Sequence, residues 1–189
     1  IPLILKGFPP VITAVALCSG IIILCFLVIS GWRLKTLAAA LGTVVGVIAA
    51  GAFALIIGSA ARLTGLAQEE TIMLMNIPQE VRFNFQGLLF AGIIIGAMGA
   101  VMDVGMSIAS ALNEIRENNP DINFRQLIRS GMNVGRDVMG TMTNTLVLAY
   151  TGGALNIMIL FTAYKVPIAQ VINGDFMASE IVRALAGSI

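Results

Sequence analysis

A chain of 189 residues that is 58% hydrophobic and only 11% charged, against roughly a quarter in ordinary soluble domains, is too apolar to cover itself in water. Eleven basic residues against ten acidic ones leave a net charge of +1 and no basic surplus for nucleic acid. The absence of histidine removes Ser-His triads, histidine-ligated zinc and histidine pH switches, so proton chemistry falls to carboxylates.

About 20 helical residues cross a bilayer's hydrocarbon core, so each long charge-free run is a candidate span. The first covers 7–32 and opens on Pro9 and Pro10, where a helix tolerates missing amide donors. Cys18 and Cys25 share one face of it about 10 Å apart, too far for a disulfide, and suit small apolar fillers. A turn with Arg33 and Lys35 leads to the second run, 36–61. There Gly42, Gly46, Ala50, Ala54 and Gly58 recur every four residues, a ridge that lets another helix approach closely. Glu69, Glu70 and Glu80 then suggest a solvated acidic loop rather than a cation site.

The third run covers 83–102 and continues past one acid to Asn113. Gly92, Gly96, Gly99, Asp103, Ser107, Ser110 and Glu114 follow steps of four and three, so they form one seam, small at one end and polar at the other. Asp103 lies roughly 15 Å deep, where an ionised carboxylate costs about 2.5–3.5 kcal/mol, and is a functional hypothesis by default. Next, Ile122, Phe124, Leu127 and Ile128 recur at helical period beside Arg125 and Arg129, as in a short interface helix over about 122–132 that Asp121 could cap. The fourth run, 138–164, follows Arg136 and Asp137. Arg136 is the expected counter-charge of Asp103, while Asp137 competes for the guanidinium or snorkels to the surface. Gly140 is a further small packing position, and Thr143 and Asn144, with Ser107 and Ser110 opposite, suggest either a polar lining between the third and fourth spans or plain interhelical hydrogen bonding. A last helix over about 175–189, with Asp175 as cap, puts Ile181, Val182, Leu185 and Ile189 on one face.

The expected fold is all-α: one polytopic transmembrane bundle with spans at about 8–31, 36–61, 84–114 and 134–164, within a longer protein. Three further spans after the first exclude a cleaved signal peptide followed by a soluble domain. Loops 30–35 and 116–129 hold five basic residues against four on the opposite side, so the positive-inside rule favours them as cytoplasmic, and the expected location is the cell membrane. Gly131 and Gly135 lack the Lys-Ser or Lys-Thr of a phosphate loop, and Asp121 with Asn123 lacks the rest of a calcium loop. No cofactor and no metal are expected.

The segments GAVMDVGMSIASALNEI (99–115), FRQLIRSGMNVGRD (124–137) and TNTLVLAYTGG (143–153) resemble the YibE/F family of multi-span bacterial membrane proteins, for which a transport role is presumed. The same stretch is more distantly similar to the membrane part of the SecD/SecF export subunits and RND transporters. That likeness implies a proton relay through an acid matching Asp103 and, in SecF, an arginine matching Arg136; Val104 departs from it where many RND members carry a second acid. The leading expectation is a proton-coupled transporter or energy-coupling module in the lipid bilayer. It would use the proton, a small substrate, and a second copy or partner membrane subunit. The other expectation is a non-energised scaffold with a structural Asp103 and Arg136 pair. An enzyme is not expected, since no Ser-Lys or Ser-His pair is apparent and Asp137 is a weak second acid for a two-aspartate protease.

Overall fold

The computed structural model describes residues 4, 6–32, 34–66, 69–75 and 84–188. Among the described residues every regular element is helical: α1 (Pro10–Ser30), α2 (Leu34–Ala60), α3 (Glu69–Met75), α4 (Phe85–Asn118), α5 (Phe124–Gly153), α6 (Leu155–Ala163), α7 (Ile168–Ile172) and α8 (Asp175–Ser188). Pro10 opens α1, and Gly31, at φ 67°, closes it by donating to the Leu27 carbonyl. Asn84 caps α4 by accepting from the Gly87 amide at 2.8 Å. Asn123 caps α5 by accepting from the Arg125 amide at 3.1 Å; it immediately precedes Phe124, so it takes the place the sequence suggested for Asp121.

α1, α2 and α4 are each long and apolar enough to cross a membrane, and α5 with α6 makes a fourth crossing if the pair, bent by 53° around Ala154, is one span. The separate interface helix suggested over 122–132 is instead the first part of α5, which runs unbroken from Phe124 to Gly153. The break falls later, after Gly152 and Gly153, where glycine weakens helix continuity.

α4 is the hub, with α1, α2, α5 and α8 all packed on it. Cys18, Ile22 and Phe26 of α1 meet Ala39 and Val47 of α2 and Ile94 of α4 in one buried cluster. Phe90 and Ile93 of α4 meet Ala54, Leu63, Val182 and Ala186 in another. Both cysteines are free, Cys18 buried and Cys25 half-buried. The α2 ridge does pack: a Cβ on Gly46 would come within 2.6 Å of Val101 Cγ1, and one on Gly58 would strike the Phe90 ring. Gly42, by contrast, meets nothing. Large side chains such as Ile12, Leu41, Val45 and Ile56 point outward, as lipid contact allows.

One end of the bundle is tied by polar contacts. Asp175 accepts from the Thr64 amide at 3.2 Å and the Thr64 hydroxyl at 2.6 Å, and Gln86 donates to the Leu63 carbonyl at 2.9 Å. This Thr64 end therefore holds the end of α2 and the starts of α4 and α8. From it α8 runs into the bundle, burying Ser179, Val182 and Ala186 while Ile181 and Leu185 face out. That reverses the apolar face expected from the sequence at two positions, because in lipid the small residues seek the helix contact and the large ones the acyl chains. Ile189, Arg33, Glu80 and Arg82 lie outside the described residues, as do the side chains of Glu69 and Glu70.

Candidate functional site

α4 is 34 residues long, about 51 Å, and Asp103 stands near its midpoint, 18 residues from Phe85 and 15 from Asn118. Four packed helices leave one side of α4 free, and the seam lies on that side. Gly92, Gly96, Gly99, Asp103, Ser107, Ser110 and Glu114 are all exposed. Space over Gly92 and Gly99 is empty to 4 Å; at Gly96 a Cβ would meet only the Tyr150 hydroxyl, at 3.5 Å. Among the described residues the side chains of Asp103, Ser107 and Ser110 make no hydrogen bond to protein, so what stands over them from outside decides their chemistry.

Arg136 does not complete the expected pair. α4 and α5 are antiparallel and touch where Leu112 meets Gly131 and Ile108 meets Gly135, a Cβ on either glycine coming within 3.1 Å of the leucine or 3.0 Å of the isoleucine. Asp103 is about 140° around α4 from Ile108, and Arg136 about 100° around α5 from Gly135, so both charges turn away from the contact. This register puts Arg136 level with Ser107, about 6 Å along the axis from Asp103. Arg136, Asp137 and Asn144 are exposed, and Gly140 has nothing within 4 Å. Thr141, Thr145 and Thr151 donate back to carbonyls of their own helix. Ser107, Ser110 and Asn144 thus share the outer surface rather than an internal lining.

Of the expected polar set only Thr143 reaches the groove of about 350 Å³ enclosed by α2, α4, α5 and the end of α8. Gly42, Gly46 and Gly105 line it without side chains, and Val101, Ile108 and Met142 make it apolar. Thr43 turns its buried hydroxyl against Gly105 and makes no hydrogen bond there.

A polar group not anticipated from the sequence lies nearer the Thr64 end. Arg183 donates to Glu180 at 2.8 Å, both side chains largely buried, in the sole ion pair among the described residues. The Arg183 Nε is buried with no acceptor. Gly187 of α8 lies against Leu146 of α5 and Ala97 of α4, and one turn back along the antiparallel α8 brings Arg183 beside Tyr150. Among the described residues no cluster of acids or cysteines could hold a metal ion.

The family model for YibE/F-like proteins matches residues 1–189, the whole chain. The chain belongs to the YibE/F-like family. No curated protein and no solved structure matches it. Family membership and the apolar helices together make this YibE/F-like chain an integral membrane protein in contact with the bilayer. The i,i+3 spacing of Glu180 and Arg183 was visible in the sequence as a helical pair. What hid its place in the YibE/F-like bundle was the amphipathic pattern of α8, which reads equally well as a surface helix.

Proposed function

We propose that this protein is a proton-coupled transporter or energy-coupling module in which Asp103 takes up and releases the proton. The observation that carries this reading is a carboxylate at the midpoint of α4, on a seam of glycines and serines, with no ion pair among the described residues to fix its charge. An ionised carboxylate at the bilayer centre costs about 2.5–3.5 kcal/mol, so a change in its protonation biases any helix arrangement that changes its surroundings. One proton crossing a 100 mV potential supplies about 2.3 kcal/mol, enough to shift a two-state equilibrium roughly fiftyfold.

Arg136, about one turn away in depth, is the counter-charge available to ionised Asp103, with Asp137 competing for it. Since the two faces diverge within one chain, their meeting requires a rotation of α5 or a neighbouring chain. Ser107 and Ser110 would carry the proton between Asp103 and the end of α4, taken as cytoplasmic. Thr143 faces the groove, and Asn144 adds an amide to the outer face of α5. A small substrate is the cargo in this reading, and a second copy or partner subunit encloses the seam.

The test is the full protein in liposomes loaded with a pH-sensitive dye, with a potassium diffusion potential driving protons. Asp103→Asn is expected to lower protein-dependent proton flux about a hundredfold, while Asp103→Glu keeps a measurable part of it. Flux at the wild-type rate in Asp103→Asn would sink the proposal.

A second reading, a non-energised scaffold, is favoured by one observation: all seven seam residues are exposed. A face with small residues and an acid at bilayer depth is suited to receiving another helix. In that case Asp103→Asn weakens assembly, measured by mass photometry in detergent, and leaves the response to a pH gradient unchanged.

A further inference from the structure

The Asp103 seam accounts for the half of α4 nearer Asn118 but leaves the other half without a titratable group of its own. From Phe85 to Met102 α4 carries none, and α2 carries none from Ile48 to Ala60. The outer half of α5 contributes Tyr150, α7 contributes nothing ionisable, and α8 contributes Asp175, Glu180 and Arg183. Asp175 is held at the surface by Thr64, and Arg62 lies in the same loop.

These few groups line up. Glu180 is about 8 Å along α8 from Asp175, and Arg183 about 12 Å, so the pair lies between the Thr64 end and the membrane interior. The contact of Gly187 with Leu146 sets Arg183, one turn back along α8, beside Tyr150, with Glu180 about one turn nearer the Thr64 end. The Tyr150 hydroxyl stands over Gly96. Gly96 and Gly99 lead along the seam to Asp103, about 10 Å further on, and neither fills the space beside α4 with a side chain. Arg183 keeps one buried N–H without an acceptor, so its guanidinium can take another acceptor when Glu180 lets go.

We propose that Glu180, Arg183 and Tyr150 form the second half of the proton path, joining the Thr64 end to Asp103 across Gly96 and Gly99; this rests on the reading of Asp103 as the proton carrier. A proton arriving from the Thr64 end binds the Glu180 carboxylate and loosens its bond to Arg183, which stays charged. Glu180 then passes the proton to the Tyr150 oxygen as the Tyr150 hydroxyl gives its own to a water over Gly96. Water over Gly99 completes the transfer to the Asp103 carboxylate. Tyr150 ends neutral, Glu180 returns to its carboxylate and its bond with Arg183, and Asp103 has gained one proton.

The experiment uses the full chain in dye-loaded liposomes, with the outer pH varied and both orientations accounted for by one-sided labelling. Glu180→Gln keeps an acceptor for Arg183 and is expected to lower flux about a hundredfold, with Glu180→Asp restoring part of it; Tyr150→Phe keeps the ring and lowers flux about tenfold. Arg183→Lys is expected to move the pH of half-maximal flux on the Thr64 side, which a purely structural pair would not do. If Asp103→Asn stops flux while Glu180→Gln and Tyr150→Phe run at the wild-type rate, this half of the path is wrong and the role of Asp103 stands. Wild-type flux no greater than that of empty liposomes removes both. Should Glu180→Gln fail to fold by circular dichroism, Tyr150→Phe alone decides.

Discussion

Asp103 was legible as a deep acid because a charge in a long apolar run stands out in any sequence. Its direction was not. Helical spacing puts Gly92 to Glu114 on one face, but whether that face meets protein or the outside depends on where α1, α2, α5 and α8 pack, which no local pattern encodes. The same gap explains Arg136: its depth matches Asp103 within about a turn, while the close approach at Gly131 and Gly135 rotates it away. At this scale one backbone position makes a sharp prediction. Gly65 has φ 73°, and a Cβ there would come 2.5 Å from the Phe85 carbonyl oxygen. Gly65→Ala should cost at least about 1–2 kcal/mol from the left-handed conformation alone, read as a lower unfolding midpoint in detergent, and an unchanged midpoint would refute it.

The two small-residue ridges look alike in sequence and differ in structure. That of α2 is used: Ala50 and Ala54 are buried, and Gly46 and Gly58 admit Val101 and Phe90. That of α4 is open over Gly92 and Gly99. Gly46→Val should therefore destabilise the folded chain by about 1–3 kcal/mol, since the β-branched Val101 cannot swing aside. Gly99→Val should change monomer stability by less than about 0.5 kcal/mol yet weaken any self-association or partner capture through the seam. Equal losses of unfolding midpoint in the two variants would contradict this division. The four long apolar runs were readable because hydrocarbon thickness sets a minimum length. The break between α5 and α6 was not, because 138–164 is free of charge throughout and only Gly152 and Gly153 mark the place.

Across the whole molecule, large Ile, Leu and Val side chains are exposed along the helices, while Asp103, Ser107 and Ser110 stand at the surface of α4 and Arg136 and Asn144 at that of α5. A polar surface within a membrane-spanning helix is costly against acyl chains, so these are the places where water, substrate or another protein belongs. The helical class and membrane setting followed from composition and charge placement. The direction of the polar faces came only with the packing of α1, α2, α5 and α8 on α4, and the Glu180, Arg183 and Tyr150 group only with the packing of α8. The most direct measurement is pH-dependent infrared difference spectroscopy of the protein in lipid, following the carbonyl band of protonated carboxyl groups. A band that appears on acidification and is lost in Asp103→Asn, with the protein still folded, is the predicted result. An identical set of carboxyl bands in wild type and Asp103→Asn would show that Asp103 does not exchange a proton, and would contradict the account.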